Sequence, residues 1–193
     1  MKLAGIILAA GAGVRFGGAK QLASFNGKYL LQYALDAANN SSVDYVSVVV
    51  GGHSSEILEK VQLGRAQIIF NRDYKTGIAS SVKAGMANLP DDTSGAIIMV
   101  ADQPFLKTEH LELMIQYFKK NGSNEIVVLS RKGEPRNPAL IPRQLFSSLD
   151  ELTGDSGARM LMKKSDRLHL LDLEDSDVFL DVDTKETLIG IGN

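Results

Sequence analysis

Five short apolar runs, alternating with four amphipathic stretches, constrain this chain more than any other feature. The runs are residues 3–9, 45–50, 66–70, 96–101 and 125–130. Continuous apolar runs suit parallel strands covered on both faces. Between them lie helical patterns. Residues 29–39 place Leu30, Tyr33, Ala34 and Ala37 near one face. Residues 54–63 begin with serine caps and repeat Ile57, Leu58 and Val61. Residues 79–89 repeat Val82, Met86 and Leu89. Residues 108–120 open with Thr108 as a cap and carry Leu111, Ile115 and Phe118. This alternation predicts an α/β fold: a three-layer α/β/α, Rossmann-like, mostly parallel sheet with right-handed crossovers. Such sheets bind ligands at the carboxyl ends of their strands, so functional residues should follow the strands directly.

The rhythm breaks after residue 131. Gly133, Pro135, Pro138 and Pro142 read as a loop-rich stretch. An amphipathic turn (Leu145, Leu149, Leu152) and a short helix over residues 156–164 follow. This part reads as a subdomain over the crevice, within one domain spanning 1–193. A length of 193 residues suits a single core. The absence of cysteine excludes a disulfide scaffold, thiolate metal sites and thiol catalysis. Three histidines argue against a His-built metal site. A net charge of −2 gives no bulk attraction to nucleic acid or membrane. No apolar run approaches the ~20 residues a membrane helix needs. Residues 2–10 are too short for a signal peptide and lack a convincing cleavage site. A cytoplasmic monomer is the expectation.

The loop after the first run is the chemical centre of the sequence. It reads Leu8-Ala9-Ala10-Gly11-Ala12-Gly13-Val14-Arg15-Phe16-Gly17-Gly18-Ala19-Lys20. Glycines let backbone approach a ligand, and exposed N–H groups there make an anion cradle. Arg15 and Lys20 add the counter-charge a polyphosphate requires. A Walker loop fails, because Lys20 is followed by Gln21 and not Ser or Thr. A dinucleotide fingerprint fails as well, because its third glycine falls on Phe16. The bland alternative is a plain glycine turn, against which the placing of Arg15 and Lys20 speaks. The pattern Leu-Ala-Ala-Gly-x-Gly-x-Arg-Phe-Gly-x-x-Lys resembles the signature loop of nucleotidyltransferases with the molybdopterin-guanylyltransferase-like fold. The resemblance implies that Leu8, Ala9, Ala10, Gly11, Gly13, Arg15 and Lys20 contact a nucleotide.

Asp102-Gln103-Pro104 follows the fourth run. An Asp there points into the predicted crevice, as a turn residue or as a hard oxygen ligand for Mg²⁺. The triplet resembles the metal-binding segment of the molybdenum-cofactor nucleotidyltransferases. That implies metal on Asp102, with Gln103 and Pro104 toward the acceptor. Near the end, Asp181 and Asp183 would share one side of a strand. By resemblance Asp181 is the second metal ligand, and Asp183 a cap or supporting group. Thr184 could cap the last helix.

Two further segments bear on substrate. Asn71, Gly77 and Ser80 resemble an Asn…Gly…Ser element that approaches base and ribose. The alternative is an ordinary loop with a serine cap. Residues 154–159 (Gly154, Asp155, Gly157 and Arg159 among them) resemble the Gly-Asp-x-Gly-Ala-Arg block of the molybdenum cofactor cytidylyltransferases. From residue types alone the block is a turn feeding a helix start, with Asp155 as a cap and Arg159 available to an anion. Asn137 and Pro138 belong to the neighbouring acceptor segment, where Arg136 stands in place of the glycine common in that group.

The resemblance implies transfer of a cytidylyl group from CTP to the phosphate of molybdopterin, with release of pyrophosphate. It implies Mg²⁺, with Mn²⁺ as a substitute, and transient contact with a molybdoenzyme apoprotein. Residues 1–105 would bind nucleotide and about 131–175 would face the acceptor. Two alternatives keep the fold: GTP in place of CTP, or a sugar phosphate in place of the pterin. A third is a non-catalytic cofactor carrier. An oxidoreductase is the weakest reading, because the fingerprint fails at Phe16.

Overall fold

The computed structural model describes residues 1–157, 159–174 and 177–191; the side chains of Arg159, Lys163 and Lys164 lie outside the described set. The chain opens with β1 (Lys2–Ala9), a 3-10 turn (Lys20–Leu22) and a small hairpin of β2 (Ser24–Phe25) and β3 (Lys28–Tyr29). Then come α1 (Leu30–Asn39), β4 (Tyr45–Val50), α2 (Ser54–Lys60), β5 (Gln67–Phe70) and α3 (Ile78–Ala87). β6 (Thr93–Val100), α4 (Thr108–Lys120), β7 (Ile126–Arg131) and β8 (Glu134–Pro142) follow. The chain closes with α5 (Phe146–Leu149), α6 (Arg159–Lys164), β9 (Leu168–Asp172) and α7 (Lys185–Ile191).

Seven strands form one sheet in the order β5-β4-β1-β6-β8-β7-β9. Every neighbouring pair is parallel except those made by β8. The order reverses at β1. The chain first steps outward to β4 and β5, then returns to lay β6 on the other side of β1, with Leu8 paired to Val100 at the carboxyl edge. That reversal opens a crevice between the loops after β1 and β6.

β1 shows why the sheet is buried on both sides. Leu3, Ile7 and Ala9 join one apolar cluster with Leu31 and Leu35 of α1 and Met114 and Phe118 of α4. Ala4, Ile6 and Leu8 join the opposite one with Val82 of α3, Leu149 of α5 and Met162 of α6. Alternation sends successive side chains to opposite faces, and here both faces are core. Each fully buried Leu or Ile adds about 1.5–3 kcal/mol. α3 comes so close that a Cβ on Gly85 would lie 2.6 Å from Ile6 Cγ2.

The structure corrects several local expectations. The proline-punctuated stretch after residue 131 is not a loop. It is β8, the strand between β6 and β7 in the interior of the sheet. Pro138 is tolerated because the ladder is interrupted: Val128 faces Ala139 while Ser130 faces Pro135, so residues 136–138 stand out of register, and Pro142 is the last residue of the strand. β9 was not among the predicted elements. The segment holding Asp181 and Asp183 is irregular, not a strand. Thr108 does not cap α4; its hydroxyl reaches the Ala37 carbonyl at 3.3 Å, and the Lys107 N–H donates to His110 Nδ1. α2 starts after His53 without a side-chain cap. Thr184 does cap α7, accepting the Thr187 N–H at 3.2 Å.

Candidate functional site

The loop after β1 is built around one residue. Gly13 has φ of +64°, and its carbonyl accepts the N–H groups of Phe16 (3.0 Å), Gly17 (2.8 Å) and Gly18 (3.2 Å). Those three amides are therefore consumed by the turn. The amides open to a ligand come earlier in the loop: among the described residues, Gly11 to Arg15 have no backbone acceptor. Phe16 is anchored beside Phe25, Leu30 and Val182.

Gln21 holds the base of this loop, a role the sequence reading did not assign. Its Nε2 donates to the carbonyls of Ala9 (2.8 Å) and Gly11 (2.7 Å), and its Oε1 is buried without a partner among the described residues. The available signal was a glutamine directly after Lys20 in a chain that fails the Walker pattern.

The charged groups converge on the other wall. Lys20 Nζ donates to Asp102 Oδ2 at 2.5 Å and to Asp183 Oδ1 at 3.0 Å. Arg15 Nη1 reaches Asp183 Oδ2 at 2.9 Å. Asp183 is thus the carboxylate that receives both basic side chains of the loop, and its side chain is not a helix cap. The Val182 N–H donates to the Asp102 carbonyl at 3.0 Å, which pins the C-terminal segment beside β6. Burial works against the charged form of Lys20, but the charge and hydrogen bond of Asp102, then those of Asp183, outweigh it and raise its pKa. The hydrogen bond from Lys20 is the main cause that lowers the pKa of Asp183, with Arg15 adding to it.

Asp181 behaves differently. Desolvation by the surrounding protein raises its pKa, and the negative charge of Asp102 adds to this, against one hydrogen bond from Gln103 Nε2 at 2.9 Å. Its surface still opens to the crevice. Among the described residues, Asp102 Oδ1 is buried with no hydrogen-bond partner, as is Gln103 Oε1. An orphaned carboxylate oxygen is costly unless something outside the chain completes it. Among the described residues no three His, Cys, Asp or Glu side chains cluster as a metal cage. Asp102 with Asp181 suits a cation that takes one or two carboxylates and completes its shell with substrate phosphate and water.

The crevice divides into two joined cavities. One, of about 390 Å³, is lined by Gly11, Arg15, Lys20, Gly77, Asp102 and Asp183 among others. The second, of about 160 Å³, has an apolar floor that includes Val82, Ile98 and Met162, and a rim of Gln103, Arg136, Asn137 and Asp181. Leu8, Ile78, Val100 and Asp155 line both. The β8 irregularity explains why Arg136 and Asn137 reach the second cavity. Gly157 lines it too, while Pro104 faces a separate surface hollow beside Phe105 and Lys107. Pro138 follows a cis peptide after Asn137 and lines neither cavity.

Asn71 and Ser80 act on each other. Asn71 is buried; its Nδ2 donates to the hydroxyls of Ser80 (2.9 Å) and Ser81 (3.0 Å), and its Oδ1 accepts the Asp73 N–H. Gly77, at φ +112°, meets the other substrate segment directly: a Cβ there would run into the Gly154 carbonyl. That carbonyl accepts the Ala79 N–H at 3.0 Å. Asp155 is exposed, and the described helix starts at Arg159 and not at Ser156. The Arg159 side chain lies outside the described residues.

Residues 5–169 match the model of the MobA-like NTP transferase domain. The chain belongs to that family. Among curated relatives, the nicotine blue oxidoreductase of Paenarthrobacter nicotinovorans is 28% identical over 95% of this chain and 93% of its own length. A probable molybdenum cofactor guanylyltransferase of Methanocaldococcus jannaschii is 30% identical over 78% of this chain and 76% of its own. A Mycobacterium tuberculosis protein solved in complex with manganese shares the fold at a TM-score of 0.85 and 24% identity, covering 100% of this chain and 98% of that one. No described helix is long and apolar enough to cross a membrane.

Proposed function

We propose that this member of the MobA-like family transfers a cytidylyl group from CTP to the phosphate of molybdopterin. One observation carries the reading: two joined cavities share Leu8, Ile78, Val100 and Asp155, and the larger holds a Lys20–Asp102 pair whose second carboxylate oxygen is buried and, among the described residues, unpartnered. In the larger cavity Arg15 and Lys20 bind the triphosphate with the loop amides of residues 11–15. In the smaller, the acceptor lies against the apolar floor with its polar edge toward Gln103 and Asn137. On this reading residues 1–105 supply most of the nucleotide side, and about 131–175 face the acceptor.

The acceptor phosphate oxygen forms a bond to the α-phosphorus. The bond from that phosphorus to the bridging oxygen breaks, and pyrophosphate leaves with the electron pair. This chemistry asks for in-line placement and charge neutralisation. The attacking phosphate is already ionised near neutral pH, so no general base is needed. Lys20 and Arg15 are tied to Asp102 and Asp183 until phosphate competes for them, and their transfer to the leaving pyrophosphate is the electrostatic work of the chain. Asp102, through its free oxygen, and Asp181 are the residues that would hold Mg²⁺ or Mn²⁺. Bound there, the cation supplies charge neutralisation to the triphosphate.

Purified protein with Mg²⁺ and CTP should release pyrophosphate only when molybdopterin is present, and the product should be molybdopterin cytosine dinucleotide. Turnover with GTP alone would move the chain to the guanylyl branch. Turnover with a sugar phosphate would displace the pterin. Tight pterin binding without pyrophosphate would make the protein a carrier. Oxidation or reduction of a substrate without release of pyrophosphate would favour the oxidoreductase chemistry named for the Paenarthrobacter relative.

A further inference from the structure

Gly51 and Gly52 end β4, and the sequence alone reads them as strand punctuation. Neither has a positive φ, so backbone conformation does not call for glycine at either place. Space does. A Cβ on Gly51 would lie 2.8 Å from Tyr74 Cγ and 2.6 Å from the Ala10 carbonyl oxygen. A Cβ on Gly52 would lie 2.7 Å from the Tyr74 hydroxyl oxygen and 3.0 Å from Cζ. The two residues form a bare shelf along the length of one aromatic ring. The 3-10 turn Tyr74–Thr76 carries that ring from β5 back across the end of β4. Tyr74 is half-buried and lines the same cavity as Gly11, Arg15 and Lys20. Lys75 Nζ stands over the ring, 5.9 Å from its centroid, so a flexible cation reaches the ring from the cavity.

We propose that Tyr74, seated on Gly51 and Gly52, is the stacking platform for the nucleobase. The inference rests on the nucleotidyl-transfer reading above and adds the part of the nucleotide that the phosphate-binding residues do not explain. Arg15 and Lys20 recognise charge that every nucleoside triphosphate shares with inorganic triphosphate. A planar ring in the same cavity recognises what inorganic triphosphate lacks. Stacking contributes about 1–3 kcal/mol per base, which is roughly five- to 150-fold in affinity. It tolerates any base, so Tyr74 separates nucleotides from bare phosphates and does not choose between CTP and GTP.

The test measures binding of CTP, GTP and inorganic triphosphate to the full chain with Mg²⁺ present. Tyr74→Ala should weaken both nucleotides about tenfold or more and leave triphosphate within twofold. Tyr74→Phe and Tyr74→Trp should bind nucleotide like the parent. Gly52→Ala should weaken nucleotide by tilting the ring. Made in the Tyr74→Ala background it should add nothing, because the shelf then has nothing to carry. Equal nucleotide binding by the parent and Tyr74→Ala overturns the platform. Equal losses for triphosphate and nucleotide also overturn it, since Tyr74 would then only prop the loop. A parent chain that binds triphosphate but no nucleotide overturns the underlying reading of function instead.

Discussion

The two cavities of the crevice share a wall and little else. On the phosphate side the charges are mutually satisfied: Arg15 and Lys20 neutralise Asp183, and Lys20 also neutralises Asp102. On the other side the floor is apolar, and Asp181 has a raised pKa and one hydrogen bond from Gln103. The first region is a set of exchangeable ion pairs, and the second is a shape. Exposure grades the exchange. The Arg15 side chain is 76% exposed, whereas the paired Lys20 and Asp102 side chains are 18% and 19% exposed. An exposed pair contributes about 0–1 kcal/mol and is given up easily. A pair removed from solvent costs far more to break by losing one partner.

The largest effect should come from the larger cavity, which Asp102 lines. Asp102→Ala should lower kcat by about 10²–10³, the size expected when a preorganised charge-stabilising group is lost. Mn²⁺ or Mg²⁺ should raise the Tm of the parent, and Asp102→Ala should abolish that rise, since a ligand stabilises only the state that binds it. Full turnover in that variant would remove Asp102 from the chemistry and dissolve the contrast between the cavities.

Next in size is Gly77→Ala, which tests whether the two sides are mechanically joined. The substitution places a side chain at φ +112° and against the Gly154 carbonyl. Strain of that kind costs about 1–3 kcal/mol, which for a chain of this length is a fall of several degrees in Tm. Because residues 71–81 and 153–157 would separate, KM should rise for nucleotide and acceptor together. A rise for nucleotide alone would show that the cavities work independently.

The same division governs what could be read from the sequence. On the phosphate side the strand–loop–helix units are local, and their signals are local too. The run at residues 45–50 and the helix at 108–120 coincide with β4 and α4 to the residue. The acceptor side is assembled by long-range pairing. Pro135 and Pro138 spoke against a strand within the sheet, and only the antiparallel ladder to β6 and β7 makes β8 one. Of the two roles the sequence leaves open for Asp183, cap or supporting group, the structure bears out the second, and the reason it is not legible is related. Its partners lie 168 and 163 residues earlier in the chain, at Arg15 and Lys20, and no spacing rule connects them. Gln21 was passed over because its work is to hold backbone carbonyls, which leaves no motif.

Arg15→Ala should be a milder change. With so exposed a pair, Tm should move by less than about 4 °C, from the 0–1 kcal/mol such a pair contributes. KM for nucleotide should rise about three- to tenfold, and the rise should shrink as salt increases, because exposed charges are screened. A large loss of stability would mean that the Arg15–Asp183 pair holds the loop in place and is not freely exchanged.

The smallest effect on chemistry belongs to Ser80, which resembles a ribose- or base-contacting serine. Its hydroxyl accepts from Asn71 Nδ2 and lies 2.8 Å from the Gly77 carbonyl and 3.0 Å from that of Asp73. Its proton and one lone pair are thereby engaged inside the loop that carries Tyr74 and Gly77. Ser80→Ala should cost about 0.5–1.5 kcal/mol of stability, the usual net size of a lost hydrogen bond. It should change KM for nucleotide by less than twofold. Asn71→Ala should cost more, because it leaves two hydroxyls and the Asp73 N–H without their partner. A Ser80→Ala variant that keeps its Tm and loses nucleotide affinity would place the hydroxyl in the cavity, and would make this loop a direct reader of the nucleotide beyond its role as a scaffold for the ring.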